Sequence, residues 1–123
     1  MDKRPKNLNL FVFKFPITAL VSIFHRVSGV LLFLLVPFIL FVLKNSLLSE
    51  VNFIILKSYF SLAIIKIFFI LFLSLLIFHL FAGVRHMLMD YGFYEDKIGG
   101  FISAKFVFVF FSLFVLITGV FIW

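Results

Sequence analysis

His79, Gly83 and His86 follow one another at offsets of four and three residues, which puts all three on one face of a helix. His79 lies six residues inside Arg85, roughly 9 Å along a helix axis at 1.5 Å per residue, in otherwise apolar sequence. Two readings of that imidazole are open. It ligates a metal, for which haem b with an axial histidine is the fitting group, or it bonds another helix as a packing residue. Gly83, one turn away, removes side-chain bulk and would let a flat macrocycle approach the backbone. His86 falls at the edge of the apolar run, where a role beside haem propionates or plain solvation is more natural than ligation.

A second group is Thr18, Ser22, His25, Arg26 and Gly29, which form one broad helical stripe. Arg26 lies ten residues past Pro16, roughly 15 Å along the axis. A charged side chain in mid-membrane costs about 2.5–3.5 kcal/mol on insertion scales, so such a residue needs a reason. A hydroxyl one turn before a permanently charged guanidinium is suited to a small polar headgroup such as a quinone carbonyl. The competing reading has Arg26 reaching lipid phosphate and Ser22 bonding its own backbone. Asp90 also has two readings, a proton feed or a solvated carboxylate.

The elements carrying these groups follow from composition. The chain has 123 residues, 65% hydrophobic and 13% charged, against about 25% charged in a typical soluble domain. So small a globule cannot bury that much apolar surface. Lipid is the remaining solvent, and the expected fold is an all-α integral membrane protein. Charge-free runs at 27–43, 67–84 and 106–123 give three transmembrane helices, over about 16–44, 59–88 and 102–123. They belong to a single membrane-anchor domain spanning 1–123, preceded by a cytoplasmic segment 1–15. Pro16 suits a first helical turn, and Pro37 predicts a kink. Residues 44–58 read as the first link and 91–100 as the second, with Gly99 and Gly100 making a turn.

Charge sets the orientation. Lys3, Arg4, Lys6, Lys14, Arg26, Arg85, Lys97 and Lys105 fall on one side, and Lys44, Lys57 and Lys66 on the other. The positive-inside rule puts the N-terminus and second link in the cytoplasm and the C-terminus on the outer side. The net charge of +6 therefore reads as membrane orientation and lipid contact, not as nucleic-acid binding. The absence of cysteine excludes disulfides and iron–sulfur ligation by this chain. The long apolar stretch after the N-terminus does not read as a cleaved secretory signal. A low-spin haem b takes two axial histidines, and only His79 lies at good depth. A second membrane chain is expected to supply the other.

At these residues a family resemblance emerges. RPKNLNL (4–10), FPITALVSIFHRVSGV (15–30) and HLFAGVRHMLMDYG (79–92) closely resemble the cytochrome b556 membrane-anchor subunits of succinate dehydrogenase, respiratory complex II. The likeness covers the chain end to end, with SxxHRxSG on the first helix and HxxxGxRH on the second. It implies an electron-transfer subunit with no dehydrogenase activity of its own. Its partners would be a flavoprotein, an iron–sulfur protein and a second small hydrophobic anchor. Electrons from succinate would pass through the partners' iron–sulfur clusters to ubiquinone. By the same resemblance His79 is the haem iron ligand, and Ser22 and Arg26 line the quinone site. His25, Arg26 and His86 neighbour the haem propionates. The expected location is the bacterial inner membrane rather than the mitochondrial one. Two alternatives stand beside this: the anchor of a quinol:fumarate reductase, and a structural anchor or assembly factor without cofactor.

Overall fold

A computed structural model describes residues 15–123. The expected cytoplasmic segment, with Lys3, Arg4, Lys6 and Lys14, lies outside the described residues apart from Phe15. Four helices follow: α1 (Ile17–Leu48), α2 (Glu50–Tyr59), α3 (Ala63–Asp90) and α4 (Lys97–Ile122). Three of them, α1, α3 and α4, are long and apolar enough to cross a membrane. Their large side chains face outward, with Phe33 75% and Phe121 86% exposed. That is the pattern of a surface solvated by acyl chains rather than water.

α1 starts directly after Pro16, whose extended backbone (φ −63°, ψ 148°) sets the entry. The Pro16 carbonyl accepts from the Ala19 and Leu20 amides. The helix continues through Pro37 for 32 residues, about 48 Å at 1.5 Å per residue. A hydrocarbon core is about 30 Å thick, so α1 extends beyond it.

The region expected as the first link is largely helical. α1 runs on past Lys44, and Ser49 then caps α2 by accepting from the Asn52 amide at 3.1 Å. Glu50 in the first turn and Lys57 in the last complement the helix dipole. No Pro or Gly interrupts 44–58, so charge alone marked this stretch as a link. A turn at residues 60–62 delays α3 to Ala63, and Lys66 reaches the end of α4, with Nζ 3.4 Å from the Trp123 carbonyl oxygen.

The second link is shorter than expected. α3 ends in a Schellman motif, with Phe93 N–H to Leu88 O, Gly92 N–H to Met89 O, and Gly92 at φ +87°. The Asp96 carboxylate then accepts from the Ile98 and Gly99 amides. This cap draws Gly99 and Gly100 into α4 instead of leaving them as a turn.

α3 is central, packing on α4 and on α1. The buried cluster of Val21, Phe78, Ala82, Ala104 and Val107 lies where the start of α1, the end of α3 and the start of α4 meet. Ala82 and Ala104 let the backbones approach, the device that membrane helices use in place of a hydrophobic driving force. Phe78 closes the cluster edge-on against Phe24 and Phe111.

Candidate functional site

The same end of the bundle gathers the three histidines. The His25 ring of α1 stacks on that of His79 of α3, with centroids 4.3 Å apart and planes 20° from parallel. His86, two turns along α3 from His79, meets His25 edge-on at 6.2 Å. Two glycines make this possible. A Cβ on Gly29 would fall 3.0 Å from His79 Cε1, and one on Gly83 would fall 3.3 Å from His25 Nε2. Each helix thus carries a glycine where the other carries its histidine. The gap at Gly83, expected to admit a macrocycle, is occupied by the His25 imidazole.

Hydrogen bonding favours one His79 tautomer. Nδ1 lies 3.2 Å from the His25 carbonyl oxygen and 3.2 Å from Ser28 Oγ. A carbonyl can only accept, and Ser28 already donates its single proton to that same carbonyl at 2.8 Å. With Ser28 bonded in this way, a hydrogen bond from Nδ1 to either oxygen needs the hydrogen on Nδ1. That tautomer leaves Nε2 with a free lone pair, and no hydrogen bond to it is formed among the described residues. This is the arrangement in which a histidine serves as a metal ligand: one nitrogen is held by a carbonyl and the other is offered outward.

Ser22 and Arg26 sit one turn apart on the exposed surface of α1. Among the described residues neither makes a hydrogen bond or ion pair. The site residues read from sequence therefore separate into two sets. His25, His79 and His86 converge in one cluster, while Ser22 and Arg26 present their polar atoms outward beside it. Asp90 is the last residue of α3 and is exposed. The described residues hold no group of three or more His, Cys, Asp or Glu arranged for a metal ion.

Two polar residues were not singled out by sequence reasoning. Ser28 is 2% exposed; its neighbour Gly29 and its i,i+3 spacing from His25 were the available signal. Arg85, counted there only as a flanking charge, is 9% exposed. Its Nε donates to Ser103 Oγ at 3.0 Å and Nη2 to the Gly100 carbonyl at 3.2 Å. At an offset of six from His79 it lies on a different face of α3 and ties that helix to α4.

Fold and site together define a helical membrane protein whose polar chemistry is concentrated where two antiparallel spans meet at one end. The sequence is similar to those of known proteins. Residues 1–120 match the family of succinate dehydrogenase/fumarate reductase transmembrane subunits. A succinate dehydrogenase cytochrome b556 subunit of Coxiella burnetii is 43% identical, covering 98% of both chains. A cytochrome b560 subunit of succinate dehydrogenase from Reclinomonas americana is 38% identical over 73% of this chain and 66% of its own. A cytochrome b556 subunit from Rickettsia typhi is 35% identical over 75% of this chain and 71% of its own. The chain belongs to the succinate dehydrogenase/fumarate reductase transmembrane subunit family.

Proposed function

We propose that this chain is the membrane-anchor subunit of a succinate dehydrogenase, holding haem b and delivering electrons from a partner's iron–sulfur clusters to ubiquinone. The observation that carries the reading is the pair of 3.2 Å contacts from His79 Nδ1 to the His25 carbonyl oxygen and Ser28 Oγ. With its hydrogen on Nδ1, the ring keeps the Nε2 lone pair for a metal. The names of the relatives, cytochrome b556 and b560 subunits, agree with haem b as the group concerned. When bound, haem b would supply a one-electron carrier, held by an imidazole nitrogen.

The chain's own residues have distinct tasks in this account. His79 presents Nε2 to the iron. His25 and His86, with Arg26, supply donors and positive charge suited to propionates. His25, stacked face to face on His79, would support the group from beside that ring. A second small anchor subunit would supply a further haem ligand, and the group would then be shared between the two anchors. Flavoprotein and iron–sulfur partners complete the complex.

Reduction of ubiquinone to ubiquinol takes two electrons and two protons. The Arg26 guanidinium fixes one quinone carbonyl by charge and hydrogen bond. The Ser22 hydroxyl, one turn away, offers a second donor. Protons come from the aqueous phase at that end of the bundle. The balance of Lys and Arg makes it the cytoplasmic side of a bacterial inner membrane, with the C-terminus outside. The family description also covers fumarate reductase; the relatives' names favour succinate oxidation.

A reduced-minus-oxidised spectrum of the purified complex tests the reading. A b-type band that titrates with ubiquinone is expected. A complex that contains this chain but gives no b-type band leaves only a structural anchor.

A further inference from the structure

We propose that Ser28 is a positioning residue for the haem ligand, a second acceptor for the Nδ1 hydrogen of His79 that raises the electron-donating strength of its Nε2. The inference rests on the reading of His79 as that ligand and goes a step beyond it. Ser28 is the most buried polar side chain of the described residues, at 2% exposure. A serine inside a helix ordinarily turns its hydroxyl to its own backbone. Ser46, Ser58 and Ser74 do so in this chain, donating to the carbonyls of Leu43, Ile55 and Ile70. Ser28 makes that same bond, to the His25 carbonyl, and then does something the others do not. Its oxygen also lies 3.2 Å from His79 Nδ1 on the neighbouring helix.

The consequence is a closed triangle of Ser28 Oγ, the His25 carbonyl and His79 Nδ1. The hydroxyl proton goes to the carbonyl, so Oγ faces Nδ1 with lone pairs only. The Nδ1 proton is thereby held between two acceptors. Were the proton on Nε2 instead, Ser28 would have to turn its hydroxyl from the carbonyl to Nδ1, and the His25 carbonyl oxygen would face Nδ1 at 3.2 Å with no hydrogen between them. The carbonyl therefore disfavours the tautomer that cannot bind iron through Nε2, and Ser28 gives the other tautomer a second acceptor. A hydrogen bond from Nδ1–H also shifts electron density toward Nε2, making it a more basic ligand. A more basic ligand favours ferric over ferrous iron, so this hydroxyl lowers the haem potential. Gly29, the next residue, leaves the space in which the ring sits. Ser28 and Gly29 thus form one seat for His79, the first by polarity and the second by absence of bulk.

The test is a redox titration of the b-type band in the intact complex, with haem content measured per chain. Neither readout depends on turnover. Ser28→Ala keeps the size of the site and removes the acceptor. It is expected to raise the reduced-to-oxidised ratio at fixed ambient potential by three- to tenfold, tenfold being about 59 mV for one electron. Haem affinity falls by about tenfold, the lower end of the range for lost outer partners of a metal ligand. Ser28→Cys, which keeps an atom at the γ position with a weaker acceptor, lies between parent and Ala. Ser74→Ala, which removes only a backbone-bonded hydroxyl on α3, titrates as the parent does.

An Ala variant with parental potential and haem content overturns the proposal, as does a Cys variant that departs further than Ala, since bulk would then be the cause. His79→Ala separates this from the underlying reading. If it keeps its haem, the ligand assignment itself fails. If it loses haem while Ser28→Ala is unaltered, only the role of Ser28 is lost.

Discussion

Adding a single methyl group at Gly29 tests the helix pairing at the site. In Gly29→Ala the new Cβ falls 3.0 Å from His79 Cε1 and 3.5 Å from Nδ1. Carbon atoms prefer a separation of about 3.5–4.0 Å, so the ring must retreat by roughly 0.5 Å. It moves away from α1, the helix that bears both of its hydrogen-bond acceptors. The two 3.2 Å contacts of Nδ1 then stretch to about 3.7 Å, beyond hydrogen-bonding distance. Overpacking of this kind costs about 1–3 kcal/mol, while replacing glycine by alanine within a helix returns about 1 kcal/mol. Stability therefore changes little, and the complex should still assemble. Haem content should not survive: an occupancy drop of about tenfold follows from losing the outer partners of the ligand. The assay is haem per assembled complex from its extracted absorbance, with the thermal midpoint measured alongside. Gly119→Ala is the control, because a Cβ there meets nothing within 4 Å. Should Gly29→Ala and Gly119→Ala retain equal haem, the seat for His79 is not where the structure puts it.

Three further outcomes follow from the same geometry. Arg26→Ala should impair ubiquinone reduction by at least tenfold while succinate oxidation by an artificial dye continues; equal survival of both activities puts the quinone elsewhere. Arg85→Ala should destabilise the α3–α4 pairing by about 1–3 kcal/mol, the cost of stripping partners from a buried hydrogen-bonded group. A lowered thermal midpoint of the detergent-solubilised complex reads this directly, and an unchanged one removes the clamp. Because the chain has no cysteine, Lys97→Cys gives a single thiol at the start of α4. It should react with a membrane-impermeant maleimide in inside-out vesicles and not in right-side-out ones; the reverse result inverts the topology.

The three spans were legible because an apolar run of about 20 residues has no common counterpart in a soluble domain. Their ends were less so. Lys44 suggested a stop, yet α1 continues four residues beyond it, since a lysine near the membrane surface ends nothing by itself. Gly99 and Gly100 suggested a turn, and the Asp96 cap overrides them. Periodicity grouped His79, Gly83 and His86 correctly on one face. It could not say that His25 would fill the gap at Gly83, because the register between two helices is fixed by which bulky and missing side chains meet across them. Ser28 was passed over for a related reason. Apart from Gly29 beside it and His25 three residues before, it reads in sequence like Ser46 or Ser74, whose hydroxyls serve only their own backbone.

In the proposed function one nitrogen atom, Nε2 of His79, is kept free for iron. The most direct measurement is the b-type spectrum and haem content of a complex carrying His79→Ala, purified beside the parent. Loss of the band from an otherwise assembled complex is the predicted result. An undiminished band, with unaltered haem per complex, would contradict it and assign the ligand to another chain.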